Sequence, residues 1–241
     1  MATSAPGSRW LRGFLVTAAA LSLIAAPTPA SASATVKGID VSDSQPTVNW
    51  QDAKANGVAF AYIKATEGAD YRSPLFGSQH AGASNAGLIR GAYHFARPDQ
   101  SSGAAQAEHL LANGGNWIPG GMTLPPALDV EPNPDGPPCY GLSQQSMDGW
   151  IRDFSDTVHS RIGRYPVIYT TTKWWQRCTG NTAFFGDINP LWISQYAPTV
   201  GSLPSGWISH SFWQHSDHGA VPGNQNLWNG DLASLTRFAD G

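Results

Sequence analysis

Short apolar runs along the chain alternate with longer stretches in which apolar residues recur at the spacing of a helix. The short runs predict buried strands, and the longer stretches predict amphipathic helices. The strand candidates are 36–41, 59–65, 88–95, 127–130, 166–170, 191–195 and 211–214. The helix candidates are 74–86, 103–113 and 143–162. The last helix has both end signals, since Ser143 can cap its first turn and Gly163 can stop it.

Strands that alternate with helices over about 200 residues predict parallel βαβ units and an α/β fold, a single-domain (β/α) TIM-like barrel. The competing fold is a doubly wound open sheet, which usually has a glycine-rich phosphate loop after its first strand. Here that strand is followed by Ser42-Asp43-Ser44-Gln45-Pro46, which is no such loop. The stretch 171–206 is rich in Trp, Pro and Gly and predicts loops around short strands. We therefore expect an irregular barrel with fewer than the eight regular helices of the standard fold.

The segment 1–34 has the pattern of a secretory signal peptide. Two arginines precede an uncharged apolar run at 14–26, and small residues with Ala-x-Ala cleavage patterns follow. A membrane anchor is the alternative, but this run has only 13 residues, and a spanning helix needs about 20. We therefore expect a secreted, extracellular protein with no membrane anchor after cleavage, whose single functional domain is 35–241.

Charge and cysteine content limit the partners and the metal sites that can be expected of the chain. Without the segment 1–34, the chain has 12 basic and 17 acidic residues, a net charge of −5, and no basic run. Nucleic acid is therefore not an expected partner. Cys139 and Cys178 both lie in the predicted domain, and in an oxidising compartment two cysteines most simply form one disulfide. Two free thiols are the alternative, and a metal site is disfavoured because neither cysteine has a second ligand at metal spacing.

The residues that end the predicted strands carry the candidate chemistry. Asp40 ends the first strand, and the later strands end in Lys64-Ala65-Thr66-Glu67-Gly68, Tyr93-His94-Phe95, Asp129-Val130-Glu131, Tyr169-Thr170 and Trp213-Gln214. In a barrel these ends converge on one face, which is where catalytic residues lie.

Asp129 and Glu131 form the most informative pair. Side chains at positions i and i+2 of a strand point to the same face, about 6.6 Å apart along the backbone. Repulsion between two such carboxylates raises one pKa, so that one group holds a proton beside an ionised partner. Glycoside hydrolysis uses an acid and a base of this kind. A solvated acidic turn is the alternative for an isolated D-x-E, but the converging strand ends favour a catalytic pair.

Aromatic residues follow the same strands. We expect Trp50, Trp150 and Trp207 to pack in the core. Rings in or just after strands offer flat faces that suit sugar rings, namely Tyr62, Tyr93, Tyr169, Trp192 and Tyr196. His94 either orients the substrate or a carboxylate, or is a structural histidine.

Other chemistries find little support. The sequence has no G-x-S-x-G, H-E-x-x-H or P-loop motif. The cluster His210, His215, Asp217 and His218 is interpreted as loop and strand-face residues rather than a metal site. We expect neither a metal nor a cofactor, and we expect a monomer.

Seven motifs in order resemble the family 25 glycoside hydrolases, the Chalaropsis-type lysozymes, and within them the secreted actinomycete and fungal branch. The motifs are Lys37-Gly-Ile-Asp-Val-Ser, Tyr62-Ile-Lys-Ala-Thr-Glu-Gly, Gly91-Ala-Tyr-His-Phe, Leu128-Asp-Val-Glu, Pro166-Val-Ile-Tyr-Thr, Leu191-Trp-Ile and Phe212-Trp-Gln. The resemblance implies an acidic groove on an irregular barrel. It also implies hydrolysis of the β-1,4 bond between N-acetylmuramic acid and N-acetylglucosamine, with peptidoglycan glycan strands as the partner.

The resemblance also implies roles for individual residues. Glu131 takes the place of the general acid, and Asp40 that of the first-strand active-site aspartate. Asp129 takes the place of the residue that orients the substrate's 2-acetamido group or stabilises the charge that develops. Because Asp129 is a strand neighbour of the acid, it reaches the opposite sugar face poorly, so we expect retention by substrate assistance. The expected substrate contacts are Tyr62, Glu67, Tyr93, His94, Tyr169, Trp192, Gln214 and Asn224.

Two positions depart from the family pattern. Asn224 stands where the family has its last aspartate, and His215 stands where a tyrosine is usual. The first departure motivates a second hypothesis, a wall-binding protein that has lost catalysis. A third is a chitinase-like enzyme, since other barrel glycosidases also use a D-x-E pair.

Overall fold

The computed structural model describes residues 1–5, 7 and 35–241. The chain divides into two units, Met1–Ala32 and Ser33–Gly241, and the fold described below belongs to the second. The predicted signal peptide lies almost wholly outside the described residues. Within the part of the chain that is described, no helix combines the length and apolar character that crossing a membrane requires.

Nine strands form one sheet that closes on itself. They are β1 (Val36–Val41), β2 (Val58–Glu67), β3 (Tyr71–Arg72), β4 (Ile89–Phe95), β5 (Ala127–Asp129), β6 (Val167–Thr170), β7 (Leu191–Ser194), β8 (Phe212–Ser216) and β9 (Asn224–Trp228). The order β1-β9-β8-β7-β6-β5-β4-β2 returns to β1, and β3 only extends the end of β2. The result is a closed eight-stranded barrel, which confirms the predicted fold class.

The barrel is parallel apart from one strand. The barrel strands β1, β2 and β4 to β8 pair in parallel with one another, whereas β9 pairs antiparallel with both β8 and β1. The start of β9 therefore lies at the same end of the barrel as the carboxyl ends of the parallel strands. Asn224 is the register partner of Asp40 at this end. All seven predicted strands are present, but β3 and β9 were not expected.

Six helices lie among the described residues, namely α1 (Trp50–Ala55), α2 (Phe76–Asn85), α3 (Gly103–Ala112), α4 (Gln144–Ile162), α5 (Thr172–Thr179) and α6 (Leu232–Asp240). The end signals predicted for α4 are confirmed, because Ser143 accepts from the Ser146 amide and Gly163 adopts a left-handed φ of 72°. The expectation of loops throughout 171–206 is wrong at α5. That helix begins at a Thr171 cap, which accepts from the Trp174 amide.

Aromatic side chains fill the interior of the barrel. Phe60, Tyr62, Trp192 and Phe212 pack together there, and the Tyr62 and Trp192 rings stack with centroids 4.8 Å apart. Gly38 makes this filling possible, because a Cβ at that position would overlap the Phe60 ring. The interior is thus a packed core, and the open space lies at the mouth.

A second layer covers the outside of the sheet. Helices α3, α4 and α5 pack there through a cluster that includes Trp150, Phe154 and Trp175. Trp50, Trp150 and Trp207 are all buried, as predicted. The predicted disulfide is confirmed, since Cys139 in the loop before α4 is joined to Cys178 in the last turn of α5.

Candidate active site

The strand ends converge on a pocket of about 220 Å³ at the mouth of the barrel. It is lined by Asp40, Ser42, Asp43, Ser44, Lys64, Tyr93, Phe95, Asp129, Glu131, Tyr169, Trp192, Gln214 and Asn224. Strand pairing brings these residues together, because Phe95, Asp129, Tyr169 and Trp192 are successive register partners on β4 to β7. The antiparallel β9 adds Asn224 from the other direction.

Asp129 is buried and Glu131 is half-buried. Asp129 ends β5, and its Oδ1 has no hydrogen-bond partner among the described residues. Burial raises the pKa of Asp129 well above its ordinary value, and the charges of Glu131 and Asp40 raise it further. Burial also raises the pKa of Glu131 to about 7, with a further contribution from the charge of Asp40. Glu131 can therefore hold a proton near neutral pH, as a general acid must.

Asp40 is held by three side-chain amides. Its Oδ1 accepts from Gln214 Nε2 (2.9 Å) and Asn226 Nδ2 (2.7 Å), and its Oδ2 accepts from Asn224 Nδ2 (2.8 Å). Burial raises the pKa of Asp40, and these three donors oppose that rise because they stabilise the carboxylate. The orientation of Asp40 is therefore set by neighbours on β8 and β9.

Gln214 connects Asp40 to the aromatic wall of the pocket. While its Nε2 donates to Asp40, its Oε1 accepts from the hydroxyls of Tyr169 (3.0 Å), Ser194 (3.0 Å) and Tyr196 (2.9 Å). One amide thus orients a carboxylate and two rings. Trp192 is fixed in a similar way, since its Nε1 donates to Asn226 Oδ1 at 2.7 Å.

Lys64 is the one cation among the lining residues. Its ammonium donates to Glu67 Oε2 at 2.6 Å and lies over the rings of Tyr71 and Phe95 at 5.3 and 5.2 Å from their centroids. Arg97 Nη1 lies 3.5 Å from the other oxygen of Glu67. The charge of Lys64 lowers the pKa of Asp129 and of Glu131, opposing the effect of burial.

Most of the predicted site residues meet in this pocket. Asp40, Asp129 and Glu131 line it, and so do five of the expected substrate contacts, Tyr93, Tyr169, Trp192, Gln214 and Asn224. Glu67 does not line it but holds Lys64, which does.

Tyr62 and His94 do not lie in the pocket. Tyr62 is fully buried in the barrel, where its hydroxyl donates to the Pro125 carbonyl oxygen at 2.9 Å. His94 is also fully buried, and its ring nitrogens contact Thr66 Oγ1 at 2.8 Å and Gln106 Oε1 at 2.9 Å. Burial lowers the pKa of His94 to about 3. Tyr62 and His94 are thus both packed in the core, away from the pocket that the other expected contacts line.

Several lining residues were missed from the sequence. Lys64 belongs to the motif that begins at Tyr62. Because it lies two residues after Tyr62 on β2, its side chain is expected on the same face of the strand, nearer the mouth of the barrel. Asp43 lies in the loop after β1, where no periodic signal operates, and accepts from the Tyr71 hydroxyl at 2.8 Å. Asn226, one of the partners of Asp40, belongs to the unexpected strand β9.

The histidines of the C-terminal third are not arranged as the ligands of a metal ion. His218 Nδ1 lies 2.6 Å from Asp217 Oδ1, and both side chains are exposed. His215 packs instead against the Trp213 ring. Across residues 1–5, 7 and 35–241, His, Cys, Asp and Glu side chains do not gather in groups of three or more that could hold a metal ion.

A closed β/α barrel whose mouth combines buried carboxyls with aromatic rings is the arrangement of a glycoside hydrolase. Comparison with known proteins gives the family. Residues 39–224 match glycosyl hydrolases family 25. The chain belongs to this family, which confirms the resemblance seen in its motifs.

Individual relatives cover nearly all of the described domain. The chain is 45% identical to an N,O-diacetylmuramidase of Arthroderma benhamiae over 94% of this chain and 97% of that protein. It is 46% identical to an N,O-diacetylmuramidase of Chalaropsis sp over 86% of this chain and 100% of that protein. Its structure is similar to that of a muramidase from Acremonium alcalophilum, with a TM-score of 0.84, 52% identity, and coverage of 86% of this chain and 99% of that one.

Proposed function

We propose that this enzyme is a lysozyme that hydrolyses the β-1,4 bond between N-acetylmuramic acid and N-acetylglucosamine in peptidoglycan. The observation that carries the proposal is the pair of a buried Asp129 and a half-buried Glu131 at the barrel mouth, with the pKa of Glu131 raised to about 7. The relatives named as muramidases support the choice of substrate.

The geometry supports retention by substrate assistance. Glu131 donates its proton to the glycosidic oxygen as the bond to the anomeric carbon breaks. The carbonyl oxygen of the substrate's own 2-acetamido group attacks that carbon from the opposite face. The free Oδ1 of Asp129 accepts from the amide N–H. The positive charge that develops on the amide favours the ionised form of Asp129, which in turn balances that charge. Glu131, now ionised, then takes a proton from water, which opens the ring intermediate and restores the original anomeric configuration.

Asp40 supports this chemistry through its charge. It raises the pKa of both Asp129 and Glu131. Its three amide partners keep it oriented and favour its ionised form. An ionised Asp40 beside Glu131 helps Glu131 to keep its proton until the leaving oxygen takes it.

The presence of Asn224, where the family pattern has an aspartate, favours a second candidate function, that of a wall-binding protein without catalysis. Asn224 donates to Asp40 Oδ2 at 2.8 Å and carries no charge of its own. Purified protein added to bacterial walls separates the two candidates. A lysozyme lowers the turbidity and releases reducing ends, whereas a binder sediments with the walls and does neither. A preference for chitin over walls would instead support the chitinase-like alternative.

Mass spectrometry of digested peptidoglycan tests the bond that is cut. The proposal requires N-acetylmuramic acid at the new reducing ends. N-acetylglucosamine at those ends would contradict it, because a different bond would then have been hydrolysed.

We also propose that the enzyme acts outside the cell, as a monomer, after removal of its signal peptide. The charge and hydropathy pattern of 1–34 supports export, and the Cys139–Cys178 disulfide is compatible with an oxidising compartment. Mass determination of the secreted protein checks this directly, since cleavage should follow Ala32 or Ala34. A full-length chain that stays with the cells would contradict export.

A further inference from the structure

A second pocket continues the groove beyond Glu131. It has a volume of about 400 Å³ and is lined by Glu131, Tyr169, Thr171, Thr172, Lys173, Ser194, Gln195 and Tyr196. Glu131 and Tyr169 line both pockets, so the two adjoin at these residues. Asp129 and Asp40 line the first pocket but not the second.

The position of Glu131 assigns the two pockets to opposite sides of the bond that is cut. The sugar whose acetamido group meets Asp129 must occupy the first pocket. The glycosidic oxygen that Glu131 protonates lies at the junction of the two pockets. The sugar that leaves with this oxygen therefore extends into the second pocket.

Tyr196 offers this sugar a fixed aromatic surface. The side chain is 51% exposed, yet its hydroxyl donates to Gln214 Oε1 at 2.9 Å, and Gln214 is itself bonded to Asp40. An exposed ring that is tethered at its far end loses little conformational freedom when a ligand packs on its face. Its tether also links it to the network that orients Asp40.

Lys173 gives the second pocket a different charge from the first. It lies in the first turn of α5, is exposed, and makes no ion pair with any residue that the structure describes. The first pocket is lined by four carboxyl groups, and its one cation, Lys64, is already paired with Glu67. The second pocket therefore offers an anionic group of the glycan strand an ammonium that no carboxylate among the described residues neutralises.

We infer that the second pocket binds the leaving-group side of the glycan strand, with Tyr196 stacking on a sugar ring and Lys173 pairing with a carboxylate that the strand carries. This inference rests on the proposed function. Because the sugar that leaves is N-acetylglucosamine, the carboxylate belongs to the muramic acid that follows it along the strand, either to its lactyl ether or to a peptide attached to it.

Three substrates distinguish these carboxylates. They are peptide-bearing glycan strands, strands stripped of peptide so that the lactyl carboxylates are free, and stripped strands whose lactyl carboxylates have been converted to neutral amides. Initial rates at low substrate concentration give kcat/KM for each. Lys173→Met should lower kcat/KM about two- to fivefold on a carboxylate-bearing strand, the size of an exposed ion pair, and leave the neutral strands unaffected. A loss confined to stripped strands identifies the lactyl group, and a loss confined to peptide-bearing strands identifies the peptide.

Tyr196→Ala should lower kcat/KM about tenfold on all three substrates, because stacking does not depend on their charge. It should also shift the position at which short oligosaccharides are cut. Tyr196→Phe keeps the ring and removes only the bond to Gln214, so most of the activity should remain. Lys54→Met removes an exposed cation of α1 that lines neither pocket and should change nothing.

An equal effect of Lys173→Met on charged and neutral strands, or no effect on any, would overturn the role of Lys173. Unchanged rates and cleavage positions in Tyr196→Ala would overturn the role of Tyr196. In both cases the wild-type enzyme would still cut the strands. Failure of the wild type to cut any of them would instead contradict the proposed function.

Discussion

At the scale of single residues, Glu131 and Asp129 differ in surroundings although only one residue separates them. The sequence suggested that mutual repulsion would raise one pKa. In the structure burial is the largest cause for both groups, and the charges of neighbouring carboxylates add to it. Lys64 acts in the opposite direction. The raised pKa of Glu131 is thus caused more by burial than by the charge of a neighbouring carboxylate.

Replacing Glu131 tests its assignment as the acid. Glu131→Gln keeps the shape of the side chain but cannot donate a proton to the leaving oxygen. Wall-lytic activity should fall by about 10²- to 10⁴-fold, the usual contribution of a general acid, with folding intact by circular dichroism. Asp156→Asn, an exposed acid on α4, is the matched control and should keep full activity. Near-normal lysis by Glu131→Gln would remove Glu131 from the mechanism.

Strand geometry explains which site residues could be predicted. The spacing of Asp129 and Glu131 indicated a common face, and the ends of β1 and β8 indicated Asp40 and Gln214. Tyr93 and His94 could not both face the pocket, because neighbours on a strand point to opposite sides. The register of β4 in the closed barrel decides which of the two side chains faces the pocket, and only the folded structure determines that register.

At the scale of elements, β9 shows why part of the fold escaped prediction. Its sequence Asn-Gln-Asn-Leu-Trp has few of the apolar residues by which a strand is recognised. Two of its polar residues serve the site, since Asn224 lines the pocket and Asn226 is buried beside it, and both donate to Asp40. The strand is also antiparallel, so it does not follow the βαβ repeat that identified the others.

Asn226 is the residue of β9 on which most buried hydrogen bonds depend. Asn226→Leu would remove the acceptor of Trp192 Nε1 and one of the donors to Asp40. Both groups would stay buried, each with one hydrogen bond fewer. The free energy of unfolding should fall by about 2–3 kcal/mol, the cost of unsatisfied buried polar groups. Urea denaturation measures it. A decrease below about 0.5 kcal/mol, typical of surface changes, would show that these bonds do not stabilise the barrel.

The disulfide stabilises the region around α5. It joins residues 39 positions apart and fixes α5, which contributes Thr172 and Lys173 to the second pocket, to the loop before α4. Replacing both cysteines with serine should lower the free energy of unfolding by about 4 kcal/mol in the chain-entropy treatment of such a loop. Thermal unfolding of the variant beside the wild type measures the loss. Equal melting temperatures would contradict a stabilising role.

At the scale of the whole molecule, the active site opposes stability at high pH. Glu131 has a pKa of about 7 in the folded enzyme and an ordinary value of 4.5. The folded state therefore binds this proton more tightly than the unfolded state. Its contribution to stability is complete below pH 4.5 and is lost as the pH rises through 7. The raised pKa values of Asp40 and Asp129 act in the same direction.

Glu131→Gln should consequently be more stable than the wild type at pH 8, because glutamine does not ionise. The difference should be about 3 kcal/mol, from the rise of the pKa from 4.5 to about 7, and should fall below about 1 kcal/mol at pH 5. Urea denaturation at the two pH values measures it, with Asp156→Asn again as the control. A stability difference that stays constant between pH 5 and pH 8 would contradict the raised pKa of Glu131.

The configuration of the first product tests the account most directly, because it depends on the whole arrangement of Glu131, Asp129 and the substrate. Proton NMR of a glycan digest, recorded before mutarotation, distinguishes the two anomers of the new reducing end. Catalysis by the substrate's acetamido group, with Glu131 as acid and Asp129 on the amide, predicts the β-anomer and therefore retention. The α-anomer as the first product would contradict this mechanism and would make Asp40 the better candidate for a base that activates water.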